Sequence, residues 1–136
     1  MMPPIDHYTL DDEGNPVLEE DLNKWALILD DIEKRRVGQT SFSDDTTIST
    51  VFLGLDAGSL NPQLFETLCQ YGNGGDRMTR YPTWAAALSG HERYVTEYLR
   101  GVRGISITKH QTYEKPARKV RERKTLWDRL RTGNGF

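Results

Sequence analysis

The sequence predicts an α+β domain, an antiparallel sheet of three to five strands flanked by two helices and followed by a basic C-terminal helical tail. Three observations predict it. "TTISTVFLGL" (46–55) is dense in β-branched and aromatic residues, as a strand requires. Two segments, 19–36 and 84–102, repeat apolar residues at helical spacing. The connections between consecutive extended segments are short, which suits antiparallel rather than parallel pairing.

The elements follow in order. Residues 1–20, "MMPPIDHYTLDDEGNPVLEE", read as an N-terminal arm in which "HYTL" and "PVL" can pair across the turn "DDEGNP". Residues 21–104 read as the α+β core domain and 105–136 as a basic extension. In "EEDLNKWALILDDIEKRR" (19–36), Leu22, Trp25, Leu29 and Ile32 form one helical stripe. Acids at its start and Lys34, Arg35 and Arg36 at its end complement the helix dipole. "RVGQTSFS" (36–43) is a strand candidate ended by "DDTT".

The strand 46–55 places Val51, Leu53 and Leu55 on one face and Ile48, Thr50 and Phe52 on the other. Both faces carry apolar residues, so it reads as the central strand, covered by a helix on at least one side. "QLFETLCQYG" (63–72) resumes the alternation, with Phe65, Cys69 and Tyr71 opposed to Leu64 and Leu68. "GNGGD" (72–76) is a turn and "RMTRY" (77–81) a short fourth strand. Thr83, after Pro82, caps a helix whose stripe is Trp84, Leu88, His91, Val95 and Tyr98. Gly90 inside it costs about 1 kcal/mol relative to alanine. "ISIT" (105–108) is an extra edge-strand candidate, and a last helix runs from near Pro116 to "TGNG" with a seam of Val120, Trp127 and Leu130.

The net charge of −2 conceals a division. Residues 1–99 hold 17 acidic and 7 basic side chains, and residues 100–136 hold 3 and 11. An acidic body with a basic end points to an interaction tail or to a tail folded back on the body. A single cysteine, Cys69, rules out an internal disulfide. "MMPPIDHYTLDDEG" lacks a signal peptide's pattern, and no run approaches the ~20 apolar residues of a membrane span, so a soluble cytoplasmic protein without a membrane partner is expected.

Three segments carry a family resemblance: "ISTVFLGLD" (48–56), "LFETLCQYG" (64–72) and "RYPTWAAALSGH" (80–91). They resemble, in order and spacing, segments of a group of small proteins encoded in tailed-phage and prophage genomes, which read "STVFLGLDH", "LFETM" and "RYSTWEEAEAGH". The likeness covers residues 35–100 and leaves out the arm and the tail. Ala57 stands where the group often has histidine, Ala85, Ala86 and Ala87 stand in place of an acidic first helical turn, and Cys69 lies near a methionine position. The resemblance implies a phage origin and a fold, and no mechanism.

The tail holds the most pointed binding candidates. Lys115, Arg118, Lys119, Arg121, Arg123, Lys124 and Arg131 are cations close enough in sequence to meet phosphates or an acidic protein face, and Trp127 is an aromatic anchor among them. Asp56, Glu66, Arg80 and His91 form an alternative pocket if they converge between the sheet and the second helix. His91 otherwise reads as a buried, hydrogen-bonded histidine, and Cys69 as a small buried hydrophobe. "GNGGD" lacks the lysine of a phosphate-binding loop, so phosphate contact there would need Arg77 and Arg80 to converge on it. Three scattered histidines and one cysteine do not make a metal site, and no cofactor or catalytic residue is expected. The resulting expectation is a non-enzymatic phage-type interaction protein that binds a host or phage macromolecule, most readily a protein, through its tail. The alternatives are a nucleic-acid-binding accessory protein, and a small-ligand or nucleotide-binding (anti-defence) protein or small enzyme.

Overall fold

The computed structural model describes residues 5–116. The tail candidates Arg118, Lys119, Arg121, Arg123, Lys124, Trp127 and Arg131, and the helix expected around them, lie outside the described residues.

The described residues form an α+β fold, with two antiparallel sheets and three helices among them. Strands β1 (Asp6–Leu10) and β2 (Pro16–Leu18) form a hairpin with Thr9 opposite Val17, closed through Gly14 at a φ of 81°. Helix α1 (Leu22–Asp30) starts at Asp21, whose carboxylate accepts from the Asn23 and Lys24 amides. The single helix expected over 19–36 breaks at Asp31. There the backbone leaves helical geometry, and the side chain accepts from the Lys34 amide to start α2 (Ile32–Arg35). The break also turns the expected stripe. Ile28 is buried, Trp25 and Leu29 are half-buried, and Leu22 and Ile32 are exposed.

The large sheet consists of β3 (Arg36–Phe42), β4 (Thr47–Phe52), β6 (Phe65–Gln70), β7 (Asp76–Tyr81) and β8 (Ile107–Thr112), in the order β7-β6-β4-β3-β8. β4 is central, as its composition predicts. The run 46–55 does not continue as one strand, however. Gly54, at a φ of 79°, turns the chain so that β5 (Leu55–Asp56) leaves the large sheet and pairs with β1. Leu55 is therefore exposed rather than aligned with Val51.

Only one of the two expected flanking helices lies on this sheet. Helix α3 (Trp84–Gly101), capped by the Thr83 hydroxyl on the Ala86 amide, crosses β3, β4, β6 and β7, whereas α1 packs against β1. The face under α3 carries Ile48, Thr50, Phe52, Phe65, Thr67 and Cys69, all buried. By alternation Val51, Glu66, Leu68, Met78 and Arg80 occupy the opposite face, where they are half-buried or exposed. Arg35 ties the small unit to the large one, donating from Nε to the Phe52 carbonyl (3.0 Å) and from a terminal nitrogen to that of Leu29 (2.8 Å). Trp25 does the same through Nε1 to the Gly54 carbonyl at 3.0 Å.

Gly90 has a packing reason to interrupt the helix. The phenol end of Tyr81 lies against it, so a Cβ there would overlap the ring tip and its oxygen. Gly90→Ala is therefore expected to destabilise by about 1–3 kcal/mol through overpacking, although alanine gains about 1 kcal/mol of helix propensity. Urea denaturation checks the sign, and a stabilised variant would mean that Tyr81 has room to move.

Candidate functional site

The interior under α3 is divided by a polar belt. Towards the N-terminus of the helix, Trp84 and Ala87 pack with Leu10, Val37, Phe52, Leu64, Phe65 and Tyr81. Towards its C-terminus, Tyr94 and Val95 pack with Phe42, Ile48 and Cys69. Between the two clusters lies His91, with no exposed surface.

Its imidazole fits because β3 has no side chain beneath it. A Cβ on Gly38 would come within 2.8 Å of the ring. Gly38 lies opposite Thr50 on β4, just past a bulge in the β3–β4 pairing, and Thr40 lies one step along the same face of β3. The ring thus sits between two threonine hydroxyls, with Nδ1 2.7 Å from Thr50 Oγ1 and Nε2 2.9 Å from Thr40 Oγ1. Thr50 Oγ1 is 2.5 Å from Thr67 Oγ1, and Thr40 Oγ1 is 2.8 Å from His110 Nδ1 on the exposed edge strand β8. Five side chains from four adjacent strands and one helix therefore form a single hydrogen-bonded chain.

The chain has a direction. A threonine hydroxyl has one proton, so Thr40 donates to one histidine and accepts from the other. With both histidines neutral, two concerted arrangements satisfy every member. In one, His110 Nδ1–H donates to Thr40, Thr40 to His91 Nε2, His91 Nδ1–H to Thr50, and Thr50 to Thr67. In the other, every donor and acceptor is exchanged. A protonated His110 permits only the first. Burial, and secondarily the charge of His110, lowers the pKa of His91 from 6.5 to about 4.

A second polar cluster lies at the far end of α3. The Tyr98 hydroxyl donates to Asp44 and lies 2.9 Å from Thr46 Oγ1, which accepts from the Gly72 amide at 3.0 Å. The bond from Tyr98 holds the Asp44 carboxyl below the usual carboxylate range. Beside it, Asp44, Tyr71, Tyr98 and Val102 line a notch of about 580 Å³. These contacts fasten the β3–β4 turn to the helix end.

The four residues of the alternative pocket do not converge. His91 is beneath α3, while Glu66 and Arg80 pair on the opposite face at 3.1 Å, because Glu66 alternates with the inward-facing Thr67. Asp56 accepts from the Ser59 amide and hydroxyl, and shares with Arg80 a shallow hollow of about 380 Å³. Arg77 and Arg80 do not meet at the glycine-rich turn either. Three residues apart on a strand, they face opposite sides, and Arg77 lies 4.8 Å from the centre of the Tyr94 ring and 3.4 Å from Glu97. Cys69 is buried, and burial raises its thiol pKa, as suits a packing residue. Lys115 is exposed.

Among the described residues no group of three His, Cys, Asp or Glu side chains is placed to hold a metal ion, and no helix is long and apolar enough to cross a membrane. Sequence reasoning missed Thr40, Thr50, Thr67 and His110. Their one signal is threonine recurring at inward positions of three strands. No family model, curated protein or solved structure matches the chain.

The buried histidine generates a pH dependence. An unfolded chain binds a proton at His91 near pH 6.5 and the folded chain only near pH 4. The unfolded state therefore holds more protons between these values, and stability falls as pH falls through that window, by about 3 kcal/mol in all. Denaturation of the native chain and of His91→Gln at pH 7 and pH 4 checks this. The variant is expected to be less stable at pH 7 and to lose less on acidification, and equal losses would contradict the assignment.

Proposed function

We propose that the chain is a small phage-type interaction protein that binds a host or phage protein through its basic C-terminal segment. The carrying observation is the separation of charge. Residues 100–136 hold 11 of the 18 basic side chains, while the described body gathers most of the acids. The polar groups of the body support the same reading. Both nitrogens of His91 are taken up by threonine hydroxyls, Glu66 and Arg80 pair with each other, and Arg77 pairs with Glu97. Among the described residues the hydroxyls that face His91, those of Thr40 and Thr50, are fully buried with it and out of reach of a substrate, and Cys69 is buried elsewhere.

A protein is favoured over nucleic acid because residues 5–35 carry ten acidic and three basic side chains, and a protein need be acidic only where it meets the tail whereas a nucleic acid is charged along its whole length. That surface repels a phosphate backbone passing beyond the tail. The phage origin rests on the likeness of residues 35–100 to the tailed-phage group.

The test is affinity capture from phage-infected cells with the full chain and with a variant in which Arg118, Lys119, Arg121, Arg123 and Lys124 are all changed to glutamine. Capture of a protein by the native chain, resistant to nuclease and reduced about tenfold or more in the variant, is expected. A tenfold loss corresponds to about 1.4 kcal/mol, well within what five charges supply. Undiminished capture would overturn the proposal. Capture abolished by nuclease, with affinity falling steeply as salt rises, would replace it with nucleic-acid binding.

A further inference from the structure

We propose that the notch at the C-terminal end of α3 is a binding site for a guanidinium group, of the kind an arginine side chain presents. The notch, of about 580 Å³, lies where the β3–β4 turn, the β6–β7 turn and the helix end meet. The first supplies Asp44, the second Tyr71, Gly72 and Asn73, and the third Tyr98 and Val102. Among the described residues that line it, Asp44 is the one charged side chain.

The local sequence holds these parts in place. A Cβ on Gly72 would overlap the Asp44 carbonyl oxygen, so only glycine lets the two turns meet backbone to backbone. The Gly72 amide donates to Thr46 Oγ1 at 3.0 Å and pins the turns together. The Asp44 carboxylate is oriented from both sides, Oδ1 accepting from the Thr46 amide at 3.0 Å and Oδ2 from the Tyr98 hydroxyl. These bonds use about half of its roughly four acceptor positions, and Asp44 is exposed, so the others can be reached.

Three observations select a cation. The bond from Tyr98 holds the Asp44 carboxyl below the usual carboxylate range, so its charge persists into mildly acid solution. Beside that charge stand the half-buried rings of Tyr71 and Tyr98, 5.9 Å apart between centres and inclined at 40°, and aromatic rings attract cations. The carbonyl end of an 18-residue helix reaches the notch at Val102 and adds partial negative charge. Basic neighbours do not offset this. Residues 43–46 and 71–76 contain no lysine or arginine, and the exposed Arg100 and Arg103 stand outside the lining.

The adjoining hollow supplies a precedent within the same fold. It measures about 260 Å³ and shares Tyr71, Tyr98 and Val102 with the notch. There the Arg77 guanidinium lies 4.8 Å from the centre of the Tyr94 ring and 3.4 Å from Glu97. The notch repeats that pairing of tyrosine and carboxylate with Tyr71, Tyr98 and Asp44, and without an arginine of its own. Donor geometry favours guanidinium over ammonium, because a planar fork reaches two acceptor positions of one carboxylate while lying along an aromatic ring. The site belongs to the acidic body and is independent of binding through the tail.

The test is a titration of the full, nitrogen-15-labelled chain with N-acetyl-arginine methylamide, followed by amide NMR. The citrulline analogue, a neutral isostere, serves as control. The arginine compound is expected to shift the Gly72, Asn73 and Val102 amides saturably in the millimolar range, and the citrulline compound is not. In Asp44→Asn the affinity is expected to fall about fivefold, the upper range for an exposed pair. In Tyr71→Leu, which removes a ring and keeps apolar volume, a fall of about threefold is expected. Unshifted amides at these three positions, equal shifts from both compounds, or undiminished affinity in a folded Asp44→Asn would each overturn the proposal. The citrulline comparison needs only the native chain, so a variant that fails to fold does not remove the test. Free arginine run in parallel assigns the source. A capped compound that binds at least as tightly marks a partner's side chain, tighter binding of the free amino acid marks a small molecule, and either supports the site.

Discussion

The His91 ring, held over Gly38 between the hydroxyls of Thr40 and Thr50, is the constraint on which the architecture depends. Hydrophobic burial drives α3 onto the sheet, but it is tolerant of how the helix sits. Leucine, phenylalanine and tyrosine can repack after a small slide, while an imidazole with both nitrogens buried cannot. Displacing it would leave two ring nitrogens without partners, at a cost of about 1–3 kcal/mol each, and would take one of two partners from each of Thr40 and Thr50. The chain from Thr67 to His110 thereby fixes which residue of α3 crosses which strand. It also fixes the edge strand, because His110 holds β8 against β3 through Thr40 as well as through the backbone ladder.

This constraint explains features that look unfavourable in isolation. A glycine in the middle of β3 weakens a strand, yet any side chain at 38 would occupy the volume of the ring. Threonines at the buried centres of β3, β4 and β6 give up apolar contact, yet valine at 40 or 50 would leave a ring nitrogen of the histidine unpaired, and valine at 67 would take a partner from Thr50. The belt separates two apolar clusters, so each end of the helix is stapled by packing and its middle by hydrogen bonds.

Much of the frame was legible in the residues. The β-branched density of 46–52 marks the central strand, Thr83 marks the start of α3, and the spacing of "HYTL" and "PVL" about "DDEGNP" marks the hairpin. The divergence of Arg77 and Arg80 was legible too, since an odd separation on a strand puts two side chains on opposite faces. The break at Asp31 was less so, because two adjacent aspartates inside an apolar period read equally as a solvated helix face. The threonine–histidine chain was not legible. It joins residues 17 to 70 positions apart through strand register and a bulge, neither of which a single strand's pattern contains. His91 was recognisable as a buried, bonded histidine, but its partners were not.

The chain divides into an acidic body and a basic end, residues 1–99 carrying a net −10 and residues 100–136 a net +8. The most direct measurement of the central constraint is a titration of the His91 imidazole by nitrogen-resolved NMR on the native chain. A ring that stays neutral through pH 6 and takes up its proton near pH 4 is the expected result. A ring that titrates near 6.5, as a solvent-exposed histidine does, would contradict the account.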